Sequence, residues 1–193
     1  MKKILFFLLL TFVGFNATAQ EEQIPWKSIY PQDIEKKYEL KLNAFNFIAL
    51  SAVDISYERL INANSSFGVA VFYNFANYAE SDVVFPKKSS VTPYYRWFFS
   101  DYDYARGFFV EGFGMLNTFQ EDFINLGGSS SSIENETAFA LGISVGGKFV
   151  TKGGFTTEVL LGVGRNLIKG EENDNYISPS VVGRFGISLG YRF

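Results

Sequence analysis

From Tyr38 onward, apolar and polar positions alternate with a period of two, the pattern of half-buried β-strands. Eight such segments are predicted, over about residues 38–47, 52–61, 66–75, 91–99, 107–118, 138–149, 155–166 and 178–193. In the third, Phe67, Val69, Val71, Tyr73 and Phe75 stand opposite Gly68, Ala70, Phe72 and Asn74. In the seventh, Thr157, Val159, Leu161 and Val163 oppose Glu158, Leu160, Gly162 and Gly164. Connections near residues 62–65, 100–106 and 151–154 are short, whereas 76–90, 119–137 and 166–177 are longer, polar and acidic. That asymmetry matches an up-and-down barrel with short turns at one end and long loops at the other. The first connection, near 48–51, is the exception, being short and apolar.

Alternation alone does not say which face points inward, but residue size does. One face carries Phe, Tyr, Trp, Leu and Ile, and the other mostly Gly, Ala and Ser with single charges. A lumen of eight strands is only wide enough to be filled by side chains. Small residues and a few long charged ones suit it, which leaves the bulky apolar face outward. A water-facing exterior is rich in Lys, Glu and Thr rather than Phe and Leu. Outward apolar segments of about ten residues instead match strands that cross a lipid bilayer. Aromatic residues near strand ends (Tyr38, Tyr73, Phe75, Trp97, Phe99, Tyr191 and Phe193) are expected in girdles at the two interfaces.

The segment before the alternation divides in two. Lys2 and Lys3 precede an apolar run, residues 4–15, and then Ala17-Thr18-Ala19, the layout of a secretory signal peptide cleaved after residue 19. Twelve residues of helix rise roughly 18 Å, too little for a hydrocarbon core of ~30 Å. Residues 20–37, with Pro25 and Pro31, read as a periplasmic lead-in, and 38–193 as the barrel domain.

Composition narrows the chemistry. The 193 residues include no His and no Cys, which removes catalytic triads, imidazole bases, thiolate nucleophiles and Cys- or His-ligated metals. The net charge of −3 argues against nucleic acid as a partner. Aromatics make up 18% of the chain, far more than an ordinary core this size needs, and an outward aromatic face accounts for them. No enzymatic site, cofactor or metal is expected. Glu171-Glu-Asn-Asp-Asn175 lacks the full ligand spacing and glycine turn of an EF-hand and reads as a solvated face.

The polar face is the main candidate site. By parity it holds Glu39, Lys41, Asp54, Glu58, Arg96, Glu111, Lys148, Glu158, Arg184 and Arg192. Five acids and five bases predict an interior ion-pair network, because an isolated buried charge is costly and Arg can bridge two carboxylates. A selective pore is expected to carry one sign in excess. Nearer the long loops, Phe72, Phe113, Met115 and Val182 are predicted on the inward face as packing or as the lining of a small apolar pocket.

The last ten residues, from Arg184 to Phe193, place Phe185, Ile187, Leu189, Tyr191 and a terminal Phe193 at alternate positions. This run resembles the β-signal of outer-membrane barrels. Ile55-Ser-Tyr-Glu-Arg-Leu60 and Pro93-Tyr-Tyr-Arg-Trp97 resemble segments of small barrels of Gram-negative bacteria. The broad likeness is to the OmpA/OmpX-type eight-stranded barrel, over about residues 38–193. That resemblance implies an outer-membrane location and contact with lipid and lipopolysaccharide. It also implies handling by periplasmic chaperones and the barrel assembly machinery, and loops facing an external partner. It implies no activity. A narrow pore or small hydrophobic-ligand transporter is the first alternative, and a soluble secreted ligand-binding barrel the second.

Overall fold

A computed structural model describes residues 36–75, 87–99, 104–122, 133–169 and 180–193. The predicted signal peptide, all but the last two residues of the lead-in and most of the acidic loop residues lie outside them. The described residues form a closed barrel of eight antiparallel strands, each hydrogen-bonded to its neighbours in sequence and the last to the first. The strands are β1 (Tyr38–Asn43), β2 (Ala52–Leu60), β3 (Ser65–Asn74), β4 (Lys87–Phe98), β5 (Gly107–Asp122), β6 (Ile133–Val150), β7 (Phe155–Lys169) and β8 (Val181–Arg192). Closure leaves no free edge where β1 meets β8, from Glu39↔Arg192 to Asn43↔Ser188. The seam ends in a reciprocal backbone pair, Tyr38 N to Phe193 O (3.0 Å) and Phe193 N to Tyr38 O (2.8 Å).

The outer and inner faces follow the predicted parity. Ile143 (64%), Leu161 (65%) and Val163 (55%) are among the many exposed outward apolar residues, whereas the largest fully buried side chains begin with Arg96, Arg192 and Lys41. Around the turn end of the barrel the outward aromatics touch one another. Tyr38 lies 5.9 Å from Tyr57 and 6.3 Å from Phe193, and Phe99 lies 6.3 Å from Trp97 and 5.9 Å from Phe108.

Several strand boundaries differ from the sequence expectation: β4 begins at Lys87, within the stretch expected as a loop, β7 runs on to Lys169, and two further differences have physical reasons. The first strand stops at Asn43 instead of continuing to Phe47, and Ala44–Ala49 form a short helix, α1. The Asn43 side chain caps that helix, its Oδ1 accepting from Asn46 N at 3.2 Å. The fifth and sixth strands extend past their apolar alternation, pairing as far as Asp122↔Ile133. Backbone pairing needs no apolar side chain, so the ladder continues into a stretch where the hydrophobic pattern has ended.

The lumen is filled in layers. At the turn end, Leu60, Phe98, Ala105, Phe109 and Leu160 form one buried apolar cluster. Nearer the loop end, Tyr94, Phe113, Met115, Phe119 and Val182 form another with Ala70, Ala138 and Ala140. The inward glycines make room for these rings. A Cβ on Gly142 would meet the Phe113 ring, the Val163 carbonyl oxygen and the Gly164 Cα, each within 2.7 Å. Two of those three neighbours are backbone and cannot move aside alone. Gly142→Val is therefore expected to destabilise the barrel by about 1–3 kcal/mol, as overpacking does, in a denaturant titration of the refolded protein. A change below about 0.5 kcal/mol would show that Phe113 swings away without cost.

Candidate functional site: a buried ion-pair network

Between the two apolar clusters lie four carboxylates and five cations, carried by all strands except β3. Each is placed by strand parity: alternate residues point inward, and a charge there either finds a partner or is excluded. Glu58 of β2 is the hub. Its Oε2 accepts from Lys41 Nζ at 2.5 Å and from Arg96 Nη1 at 2.8 Å. Its Oε1 accepts from Lys148 Nζ and from Ser66 Oγ, both at 2.6 Å. The Tyr94 hydroxyl adds a longer contact of 3.4 Å to Oε2.

Arg96 is the second hub. It meets Glu158 in a fork, Nη1 to Oε2 at 2.6 Å and Nη2 to Oε1 at 2.8 Å, while its Nε donates to Glu111 Oε2 at 2.8 Å. The guanidinium is also 4.5 Å from the centroid of Tyr94 and 4.4 Å from that of Phe109, a cation–π arrangement that suits a planar delocalised cation. Lys41 bridges Glu58 to Glu158, the latter at 2.8 Å. Glu111 Oε1 accepts from Ser144 Oγ at 3.0 Å and from Arg184 Nη1.

Glu39 completes the set at the seam. It accepts from Lys148 Nζ at 2.8 Å and from Arg192 Nε at 2.8 Å. Arg192 also donates to the backbone carbonyls of Tyr104 (3.1 Å) and Ala105 (2.9 Å). It thereby holds the β4–β5 turn beneath the lumen, where Ala105 is fully buried.

Of the ten residues placed on the polar face by parity, nine lie in the network: Glu39, Lys41, Glu58, Arg96, Glu111, Lys148, Glu158, Arg184 and Arg192. Asp54 stands apart. Its Oδ2 accepts from Asn43 Nδ2 at 3.0 Å and Asn46 Nδ2 at 2.7 Å, which ties the mouth of β2 to α1. Ser66, Ser144 and Tyr94 carried no sequence signal beyond facing inward. The expected apolar residues nearer the loops, Phe72, Phe113, Met115 and Val182, are all buried. The β8 residues of the terminal run face outward: Phe185, Ile187, Leu189, Tyr191 and Phe193 are 43–50% exposed. Leu189 and Tyr191 are paired across the seam with Leu42 and Leu40.

Every carboxylate in this set is shared by at least two cations. Such an arrangement fits a closed lumen. No family model, curated protein or solved structure matches the chain.

Proposed function

We propose that the chain is an integral outer-membrane barrel of the OmpA/OmpX type in a Gram-negative bacterium. Its role is structural or a surface interaction, its lumen is closed by the ion network, and it performs no enzymatic reaction. One observation carries the membrane reading: burial is inverted. Arg96, Arg192 and Lys41 are among the most buried side chains, and all eight strands present large apolar residues on the outer face. A monomeric protein in water rarely exposes an apolar patch beyond a few hundred Å². In lipid the same surface is the favourable one, and closure satisfies the backbone. The aromatic contacts at the turn end suit the headgroup level. The terminal run ending at Phe193 is the proposed signal to the assembly machinery, and residues 1–19 the export signal.

Fractionation of expressing cells tests this reading. The protein is expected in the outer-membrane fraction, with faster gel mobility before boiling than after. Recovery in the soluble periplasmic fraction would overturn it. In planar bilayers the purified barrel is expected to give no stable conductance, and a reproducible one would overturn the closed lumen.

A further inference from the structure

The barrel wall is incomplete at one place. β1 has six residues and β8 twelve, and their pairing ends at Asn43↔Ser188. Beyond that point β8 pairs with β7 alone, as far as Arg165↔Val181. On the other flank β1–β2 pairing ends at Leu42↔Ile55, short of Ala52, Val53 and Asp54, which pair only with β3. Both flanking strands pair with β1 lower down, so they stand two strand spacings apart, roughly 9.5 Å, the place of one further strand. In that notch lies α1, with the Phe45 ring 4.4 Å from that of Phe185. The reciprocal bonds between Tyr38 and Phe193 mark a hydrogen-bonded pair. Alternation from it aims the N–H and C=O of Phe185 and Ile187 into the notch. Asn43 Nδ2 donates to Phe185 O at 3.3 Å, and among the described residues no backbone bond joins α1 to β8.

The helix owes its form to side chains. Asp54 Oδ2 accepts from Asn43 Nδ2 at 3.0 Å and from Asn46 Nδ2 at 2.7 Å. Six residues of helix have little stability of their own. The segment leads into Ser51, whose φ of +49° lies in the left-handed region, unfavourable for a residue with a Cβ. Continued in the register of β1, residues 44–47 instead fit the missing strand. Phe45 then falls opposite Gly186 on β8 and Ala52 on β2, two of the smallest residues. By parity with Glu39 and Lys41 its ring points inward. The lumen there holds a cavity of about 100 Å³, with Phe72, Met115 and Phe185 among its apolar walls and Asn46 at its border.

We propose that residues 44–47 are a two-position gate. Wound as α1, they leave β8 and β2 unjoined above Asn43 and the cavity in place. Extended as a continuation of β1, they complete the ladder and fill the cavity with the Phe45 ring. Asn46 turns to the outer face in the extended form, and the space it vacates adds to the room for that ring. The Asn43 side chain covers Gly186 while it caps the helix; the extended form has no helix to cap and frees that place. Extension gains backbone pairs on both flanks and lets Ser51 leave the left-handed region. It gives up the Asp54 bond to Asn46. The exchange governs lateral access to the lumen, and it needs only the closed barrel, not the lipid around it.

The full barrel, isotope-labelled and refolded in nonionic micelles, reports both forms by nuclear magnetic resonance. Carbon shifts of residues 44–47 are expected at helical values in the parent chain, with microsecond-to-millisecond exchange at 44–51 and 185–187. Asp54→Ala removes the acceptor that holds Asn43 and Asn46. It is expected to move those shifts to strand values and to bring the α-protons of Phe45 and Gly186 into contact. Solvent exchange of the Ile187 amide is expected to slow by about tenfold or more. Ser51→Gly is expected to do the opposite, holding the helix and quenching the exchange. Helical shifts that persist in Asp54→Ala would overturn the gate. So would a segment that turns irregular without a Phe45–Gly186 contact. Asp54→Asn, which keeps the side chain's size, gives the same test if the alanine variant does not refold, and heat-modifiable mobility reports folding in every sample. Fractionation reads the membrane location separately, so either conclusion can fail without the other.

Discussion

Glu58→Gln is expected to lower the unfolding free energy by about 3–5 kcal/mol, the usual cost of removing one partner from a buried ion pair. The substitution keeps the shape and removes the charge, so packing stays nearly constant. What changes is the electrostatics of Lys41, Arg96 and Lys148, all of which meet at that carboxylate. Four carboxylates against five cations become three against five, at a depth where side-chain exposure is 3% or less for all but Arg184. A denaturant titration of the refolded barrel gives the magnitude. Combining Glu58→Gln with Lys148→Met is expected to recover part of the loss, because the second change removes a cation that the first left short of its partner. Simple additivity of the two would mean that Glu58 and Lys148 do not interact in the folded protein.

Leu161→Arg is the second large effect, and it tests the exterior as Glu58→Gln tests the interior. Leu161 is 65% exposed, paired with Val145 on one side and Phe185 on the other. It is the seventh of fifteen residues in β7, close to mid-height on the outer face. If lipid covers that face, a charge there costs about 2–4 kcal/mol. If water covers it, the substitution is nearly neutral, within about 0.5 kcal/mol. Folding titrations in vesicles measure the difference directly. A loss below about 1 kcal/mol would turn the outer face toward solvent and with it the proposed location.

Much of this architecture was legible in the sequence because a β-strand writes its two faces at alternate positions. Ile143, Leu161 and Ile187 could be assigned outward, and Lys148, Glu158 and Arg184 inward, before any pairing was known. What parity cannot give is which inward residues meet. Arg96 reaches Glu158 across the lumen because of the stagger with which the barrel closes, and nothing local to either residue encodes that. The first hairpin was opaque for a related reason. Residues 44–47 read as a continued strand, with 48–51 as the turn. Asn43 caps the helix while Asp54 anchors both Asn43 and Asn46 from the far side of the turn. The extended β5–β6 ladder was missed because its backbone pairing continues through Glu121↔Glu134, which leave no hydrophobic trace in the sequence.

The network also bears on the order of events when the barrel forms. Beside the local pairs Lys41–Glu58 and Arg96–Glu111, three of its bonds join residues far apart in sequence: Lys41 to Glu158 spans 117 positions, Lys148 to Glu39 109, and Arg192 to Glu39 153. No hairpin forming early can make those contacts, which require the first and last strands to meet. These three bonds therefore form only as the seam closes. Interactions absent from the transition state slow unfolding more than they speed folding. In this barrel the lumenal charges act as a latch: they contribute little to how fast the cylinder closes, and much to how long it stays closed.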